Sequence, residues 1–195
     1  MKENLRQFFN ALDRSYFMEI NKEYAHLDSA IAIGYDQTIS QPSLVLMMTE
    51  YLDLEKSHRV LEIGTGTGYQ TALLAEFSGM VFTVERIEPL YEKAKQRLLA
   101  LGYHNITNIL GDGSIGFEAS APYDRIIVTA AANKVPHELI DQLGPNGKLI
   151  IPVGDQWTQD LLLVSKDSQQ HLKMQTITQV RFVPLVGKYE IYKVM

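Results

Sequence analysis

Cysteine is absent from the 195 residues, so the chain forms no disulfide, has no thiolate nucleophile and offers no cysteine to a metal. The five histidines, at positions 26, 58, 104, 137 and 171, lack metal-ligand spacing, and no metal is expected. Thirteen glycines and seven prolines are too few for a low-complexity or linker-dominated chain. No apolar run approaches the roughly 20 residues of a membrane-spanning helix. The first ten residues mix charge with Phe8 and Phe9 and lack the apolar stretch of a signal peptide, so no membrane partner and a cytoplasmic location are expected. Positive charge is also scarce: 18 basic residues face 23 acidic ones, and the basic residues are scattered. A net charge of −5 disfavours a phosphate backbone, so nucleic acid is not an expected partner.

What is present is an ordinary globular composition, with 46% hydrophobic and 21% charged residues. A chain of this length makes about one domain and buries roughly 70% of its unfolded surface. Leu5, Phe8, Phe9 and Leu12 recur at helical spacing, which predicts an amphipathic helix packed as a lid or flank. From residue 59 strands and helices alternate: strand 59–64, helix 69–78, strand 80–85, helix 89–101, strand 106–110, strand 124–130, helix 136–143 and strand 148–153. Pro89 opens one helix and Gly102 closes it. Continuous apolar runs such as 125–128 suit parallel strands covered on both faces. Beyond Gly154 strands follow one another without helices, at 161–165, 176–184 and 189–194. The fold class is therefore α/β: a Rossmann-like, doubly wound, mostly parallel sheet with antiparallel C-terminal strands.

Residues 60–69 close an apolar run on three glycines at alternate positions, Gly64, Gly66 and Gly68, and open into a helix. Such a strand, turn and helix bring backbone N–H groups against a ligand. Glu85 ends the next apolar run about twenty residues beyond Gly64, where an acid accepts hydrogen bonds from ribose hydroxyls. A dinucleotide fingerprint needs a further glycine where Tyr69 stands, so the pattern favours S-adenosylmethionine over NAD. A bare strand-to-helix connection is the alternative for the turn alone. Asp112, in Gly-Asp-Gly just past strand 106–110, is placed to accept from an adenine amino group, although an ordinary turn aspartate reads the same way.

A second constellation runs from Gly34 to Pro42 and leads into a helix with Leu44, Met47, Met48, Tyr51 and Leu52 on its apolar face. Pro42 suits the first helical turn, which puts Ser40 at or next to the N-cap. Periodicity favours a capping role. The alternative is that free N–H groups of the helix start, with the Ser40 hydroxyl, receive a substrate carboxylate.

The runs Gln-Thr-Ile-Ser-Gln-Pro (37–42), Val-Leu-Glu-Ile-Gly-Thr-Gly-Thr-Gly-Tyr (60–69), Thr-Val-Glu-Arg-Ile (83–87), Gly-Asp-Gly (111–113), Ala-Pro-Tyr-Asp with Val-Thr-Ala-Ala (121–131) and Arg-Phe-Val-Pro-Leu (181–185) resemble the protein-L-isoaspartate O-methyltransferases, in the family's order. The resemblance implies one methyltransferase domain over 1–195: a helical flank at 1–33, a substrate segment at 34–53, a cofactor core at 59–154 and C-terminal strands at 155–195. It implies methyl transfer from S-adenosylmethionine to the free carboxylate of L-isoaspartyl residues in damaged proteins or peptides, a repair reaction, with the oligomeric state left open. It makes Ser40 the active-site serine. It gives Thr38, Gly64, Thr65, Gly66, Glu85, Arg86, Asp112 and Gly113 to the cofactor, and Ile39, Ser40, Val183 and Leu185 to the substrate. Two features depart from the family pattern: Ala-Leu-Asp-Arg at 11–14 replaces a Val-Pro-Arg segment, and Asp36 stands where glycine is common, adding negative charge near a carboxylate site. Methylation of another acceptor, or nucleoside binding without catalysis, are the competing readings.

Overall fold

The computed structural model describes residues 2–191. An N-terminal layer comes first: helix α1 (Lys2–Ala11), the short strands β1 (Ile31–Gly34) and β2 (Gln37–Ile39), and helix α2 (Pro42–Leu52). The main sheet follows, built from β3 (Arg59–Ile63), β4 (Met80–Glu85), β5 (Ile106–Leu110), β6 (Tyr123–Val128), β7 (Leu143–Gly154), β8 (Gln159–Lys166) and β9 (Leu172–Val180). Helices α3 (Tyr69–Phe77), α4 (Glu88–Ala100) and α5 (His137–Gln142) connect its parallel strands. The spatial order is β5-β4-β3-β6-β7-β8-β9, parallel from β5 to β7 and antiparallel from β7 to β9.

The central strands are apolar on both faces because both are covered. Val60 and Ile127 pack with Met48 and Leu52 of α2 and Leu74 of α3. Their neighbours Leu61, Ile63, Ile126 and Val128 face the other way and pack with Leu139 and Leu143. The expected stripe of α1 is present: Leu5, Phe8, Phe9 and Leu12 join Tyr69 and Leu73 in a third cluster, with Phe8 edge-on to Phe77 at 5.7 Å. Helix ends that sink into the core are capped by buried cations. Arg125 donates to the carbonyls of Leu52 and Asp53 at the end of α2, and Lys166 donates to those of Ile140 and Leu143 at the end of α5.

Several expectations are corrected. The strand expected at 176–184 runs instead over Leu172–Val180, and Pro184 makes only an isolated bridge to Ala131. The strand expected at 189–194 does not form through Ile191, and 192–194 lie outside the described residues. On α2 the buried side chains are Val45, Met48, Thr49 and Leu52; Tyr51 points to solvent. The β1–β2 hairpin was not foreseen. Its turn residues, Tyr35 and Asp36, both have φ of +56°, and positive φ at both central positions matches the right-handed twist of paired strands. Glycine takes that backbone without strain, which accounts for glycine being common where Asp36 stands. Asp36 is exposed at the hairpin tip and does not itself line the cleft that its neighbours Gln37 and Thr38 reach.

Candidate active site

Strand order reverses between β3 and β6, because the chain leaves β3 toward β4 and returns on the other side at β6. Ligands of open α/β sheets bind beyond the carboxyl ends of the strands at such a point. Gly64 ends β3 there with φ of +94°, and Gly66 and Gly68 follow at +54° and +87°. A methyl group on Gly64 would lie 2.3 Å from Thr129 Oγ1, which donates to the Gly64 carbonyl at 2.7 Å and locks the turn to the end of β6. At Gly66 the same methyl group would meet nothing within 4 Å, so this glycine opens onto free space. That space is a cleft that Gly64, Gly66 and Glu85 line together with residues from both ends of the chain.

Glu85, buried at the end of β4, folds its carboxylate back under the turn. One oxygen accepts from Gly66 N at 2.8 Å and the other from Ile87 N at 2.9 Å. A carboxylate has about four acceptor positions, so two remain for hydroxyl groups in the cleft. Beneath the turn lies a second, fully buried acid. Glu62 Oε2 accepts from Thr71 Oγ1 at 2.6 Å and Thr83 Oγ1 at 2.7 Å, and Thr83 is bonded in turn to Thr65 of the turn at 2.6 Å. Glu62 Oε1 has no partner among the described residues. Burial pushes the Glu62 carboxyl up to about 8, against the two hydroxyl bonds, with the nearby Glu85 charge adding to the rise. It is therefore protonated at neutral pH, and the threonines fix the turn without a second negative charge.

The cleft's walls come from distant segments. One is Gln37 to Ser40, from β2 onward; another is Val183 to Val186, held to the stretch after β6 by hydrogen bonds from Ala131 N to Val183 O and from Leu185 N to Ala131 O, both 2.8 Å. Beside it runs a groove lined by Asp28, Leu44, Met47 and Arg181 among others. Thr38, Ser40, Thr129 and Val183 line both spaces, so Ser40 stands at their junction. Its hydroxyl has no hydrogen-bond partner among the described residues.

That hydroxyl does not cap α2. The N-cap position is Gln41, which makes no side-chain cap bond, and the capping acceptor comes from a distant loop: Asp28 accepts from Ser43 N at 2.8 Å and from Gln41 Nε2 at 3.0 Å. The helix start has no free first-turn N–H to offer a carboxylate. Pro42 has none, Ser43 N is taken by Asp28, and Leu44 N and Val45 N both bond the Gln41 carbonyl. Ser40 is left with its hydroxyl as its own contribution.

Of the residues singled out from the sequence, Thr38, Ile39, Ser40, Gly64, Thr65, Gly66, Glu85, Arg86, Gly113, Val183 and Leu185 line the cleft. Asp112 does not. It is exposed, and its Oδ1 accepts from Ser114 N at 2.8 Å, capping a short 3₁₀ turn. The structure adds Gln37, Thr67, Gln70 and Leu90 to the lining. Gln70 and Leu90 lie in the helices that follow the turn and the acid, and Gln37 opens the Gln-Thr-Ile-Ser run that the sequence already marks. Tyr69, which fills the place of a dinucleotide glycine, also lines the cleft and packs on Phe17 at 5.3 Å, joining the site to the N-terminal layer.

This strand order, the glycine turn and the acid at the end of β4 define an S-adenosylmethionine-dependent methyltransferase, and solved structures of that class share the fold. One, a protein-L-isoaspartate O-methyltransferase, matches with a TM-score of 0.82 and 29% identity over 97% of this chain and 67% of that one. Another, from Plasmodium falciparum and solved with S-adenosyl-L-homocysteine, matches in fold with a TM-score of 0.76 and 24% identity over 94% of this chain and 95% of that one. The protein-L-isoaspartate(D-aspartate) O-methyltransferase family model matches residues 1–190, and the chain belongs to that family. Protein-L-isoaspartate O-methyltransferase of Dictyoglomus thermophilum is 49% identical over 88% of this chain and 79% of its own length. Protein-L-isoaspartate O-methyltransferase 2 of Archaeoglobus fulgidus is 46% identical over 97% of this chain and 92% of its own.

Proposed function

We propose that the chain methylates the free carboxylate of L-isoaspartyl residues, using S-adenosylmethionine, and that Ser40 orients that carboxylate. The observation that carries the role of Ser40 is its unpartnered hydroxyl at the junction of the two spaces. The deep cleft suits the cofactor: the Gly64–Gly66 turn and Gly113 accept its bulk, and Glu85 offers its two remaining acceptor positions to the ribose, with Thr38, Thr65 and Arg86 at the edges. The outer groove suits a polypeptide, which reaches Ser40 past Val183, with Ile39 and Leu185 lining the inner cleft beyond it. A cytoplasmic repair role goes with this reading.

When bound, S-adenosylmethionine supplies a methyl group already activated on a sulfonium centre. The residues then have modest tasks. The substrate carboxylate is ionised at neutral pH, so no strong base is required and none lines the junction. Ser40 donates one hydrogen bond, which fixes the carboxylate's direction while leaving its other oxygen electron-rich. The walls at 37–40 and 183–186 exclude water and hold the reacting groups in line, the source of most of the acceleration in such a reaction.

The test is incubation with methyl-labelled cofactor and matched peptides differing only in an isoaspartyl or an aspartyl residue. Label on the isoaspartyl peptide alone is expected. Equal labelling of both peptides points to another acceptor, and no label with tight cofactor binding points to a non-catalytic module; either result overturns the proposal.

A further inference from the structure

We infer that Arg14 is a positioning residue for methyl transfer, acting through the backbone of Ser40. Arg14 is buried, with 5% of its surface exposed, and among the described residues no carboxylate forms an ion pair with it, the Asp28 charge acting on it only from beyond contact. Its guanidinium instead gathers five carbonyls from two segments. Nη1 donates to Ala25 O at 3.2 Å and Leu27 O at 2.9 Å; Nη2 donates to Ser29 O at 2.8 Å, Ile39 O at 3.3 Å and Ser40 O at 2.9 Å. A guanidinium is the one side chain with enough fixed, planar donors to span such a set.

Two consequences meet at Ser40. The bond to its own carbonyl fixes the peptide plane from which its side chain springs. The bonds to Leu27 and Ser29 hold the loop on either side of Asp28, and Asp28 caps α2 at Ser43. The serine is therefore clamped from behind by Arg14 and from the helix side by the loop that Arg14 shapes. The short 3₁₀ turn over residues 14–17 needs no arginine at its start, and the buried charge makes no use of solvent.

This inference rests on the proposed role of Ser40, so the experiment is a double-mutant cycle in the full chain: Arg14→Ala, Ser40→Ala and the pair, each compared per folded molecule for turnover of isoaspartyl peptide. Misplacing a reacting group by about 1 Å can cost on the order of 100-fold, so Arg14→Ala is expected to lower kcat by about tenfold or more. Binding of S-adenosylhomocysteine should change by less than about twofold, and in the Ser40→Ala background the same change should cost little further turnover, because groups acting as one unit are non-additive. Guanidinium ion at a non-denaturing concentration is expected to restore part of the turnover of Arg14→Ala and none of that of the double variant. If Arg14→Ala does not accumulate, Arg14→Lys, which keeps the charge and stem but cannot span five carbonyls, decides the matter by the same criteria. Equal losses in both backgrounds, or unchanged turnover, overturn the role of Arg14 while leaving that of Ser40 intact. Full activity in Ser40→Ala alone overturns both.

Discussion

Asp28 and Ser43 are joined by a 2.8 Å hydrogen bond that supplies α2 with its cap from fifteen residues away. It removes the ambiguity that a serine near a helix start ordinarily carries. Asp28→Ala is expected to lower stability by about 1 kcal/mol, the usual value of a lost cap. Ser40→Ala should leave the unfolding midpoint in denaturant nearly unchanged and yet lower isoaspartyl methylation by about tenfold or more, because the lost group orients the substrate. Chemical denaturation and initial rates on the two variants check this; a Ser40→Ala protein as destabilised as Asp28→Ala would return the serine to a structural role.

Glu85 carries two separable duties, holding Gly66 N and facing the cleft. Glu85→Ala removes both, and leaving charged or buried partners unmade costs roughly 1–3 kcal/mol, so the S-adenosylhomocysteine dissociation constant should rise by that equivalent. Calorimetric titration measures it. NAD is expected to give no binding heat to either protein.

The buried Glu62 makes a prediction about pH. Its folded value of about 8 lies above its unfolded value of 4.5, so between these the native state keeps a proton that the unfolded chain has lost. Its contribution to stability is full below about pH 4.5 and declines as pH rises through about 8. Glu62→Gln keeps an oxygen to accept from Thr71 and Thr83 and does not titrate. The stability of Glu62→Gln relative to the parent should therefore increase steadily from about pH 5 to about pH 8, as followed by denaturant titration at each pH. A difference independent of pH would mean that Glu62 is charged in the fold.

The glycine turn, Glu85 and the alternation of strands and helices were legible because each is a local pattern: alternating glycines, an acid at the end of an apolar run, strands separated by helices. Arg14 and Asp28 were not, since a side chain that binds carbonyls or an N–H from a distant segment leaves no periodicity around itself. The β1–β2 hairpin was hidden by its turn, where Tyr35 and Asp36 adopt positive φ without the Asn-Gly or Asp-Gly that advertises such a turn. The first half of β9 was missed for a different reason. Its alternation, Leu172 and Met174 against Lys173 and Gln175, is short and follows directly on the polar stretch at 166–171, and on this edge strand residues 172–176 are all exposed.

The cleft's two walls lie near opposite ends of the chain, at 37–40 and 183–186. The reaction space is therefore complete only once residues from both ends have come together, and a chain ending before Val183 lacks the residues of one wall.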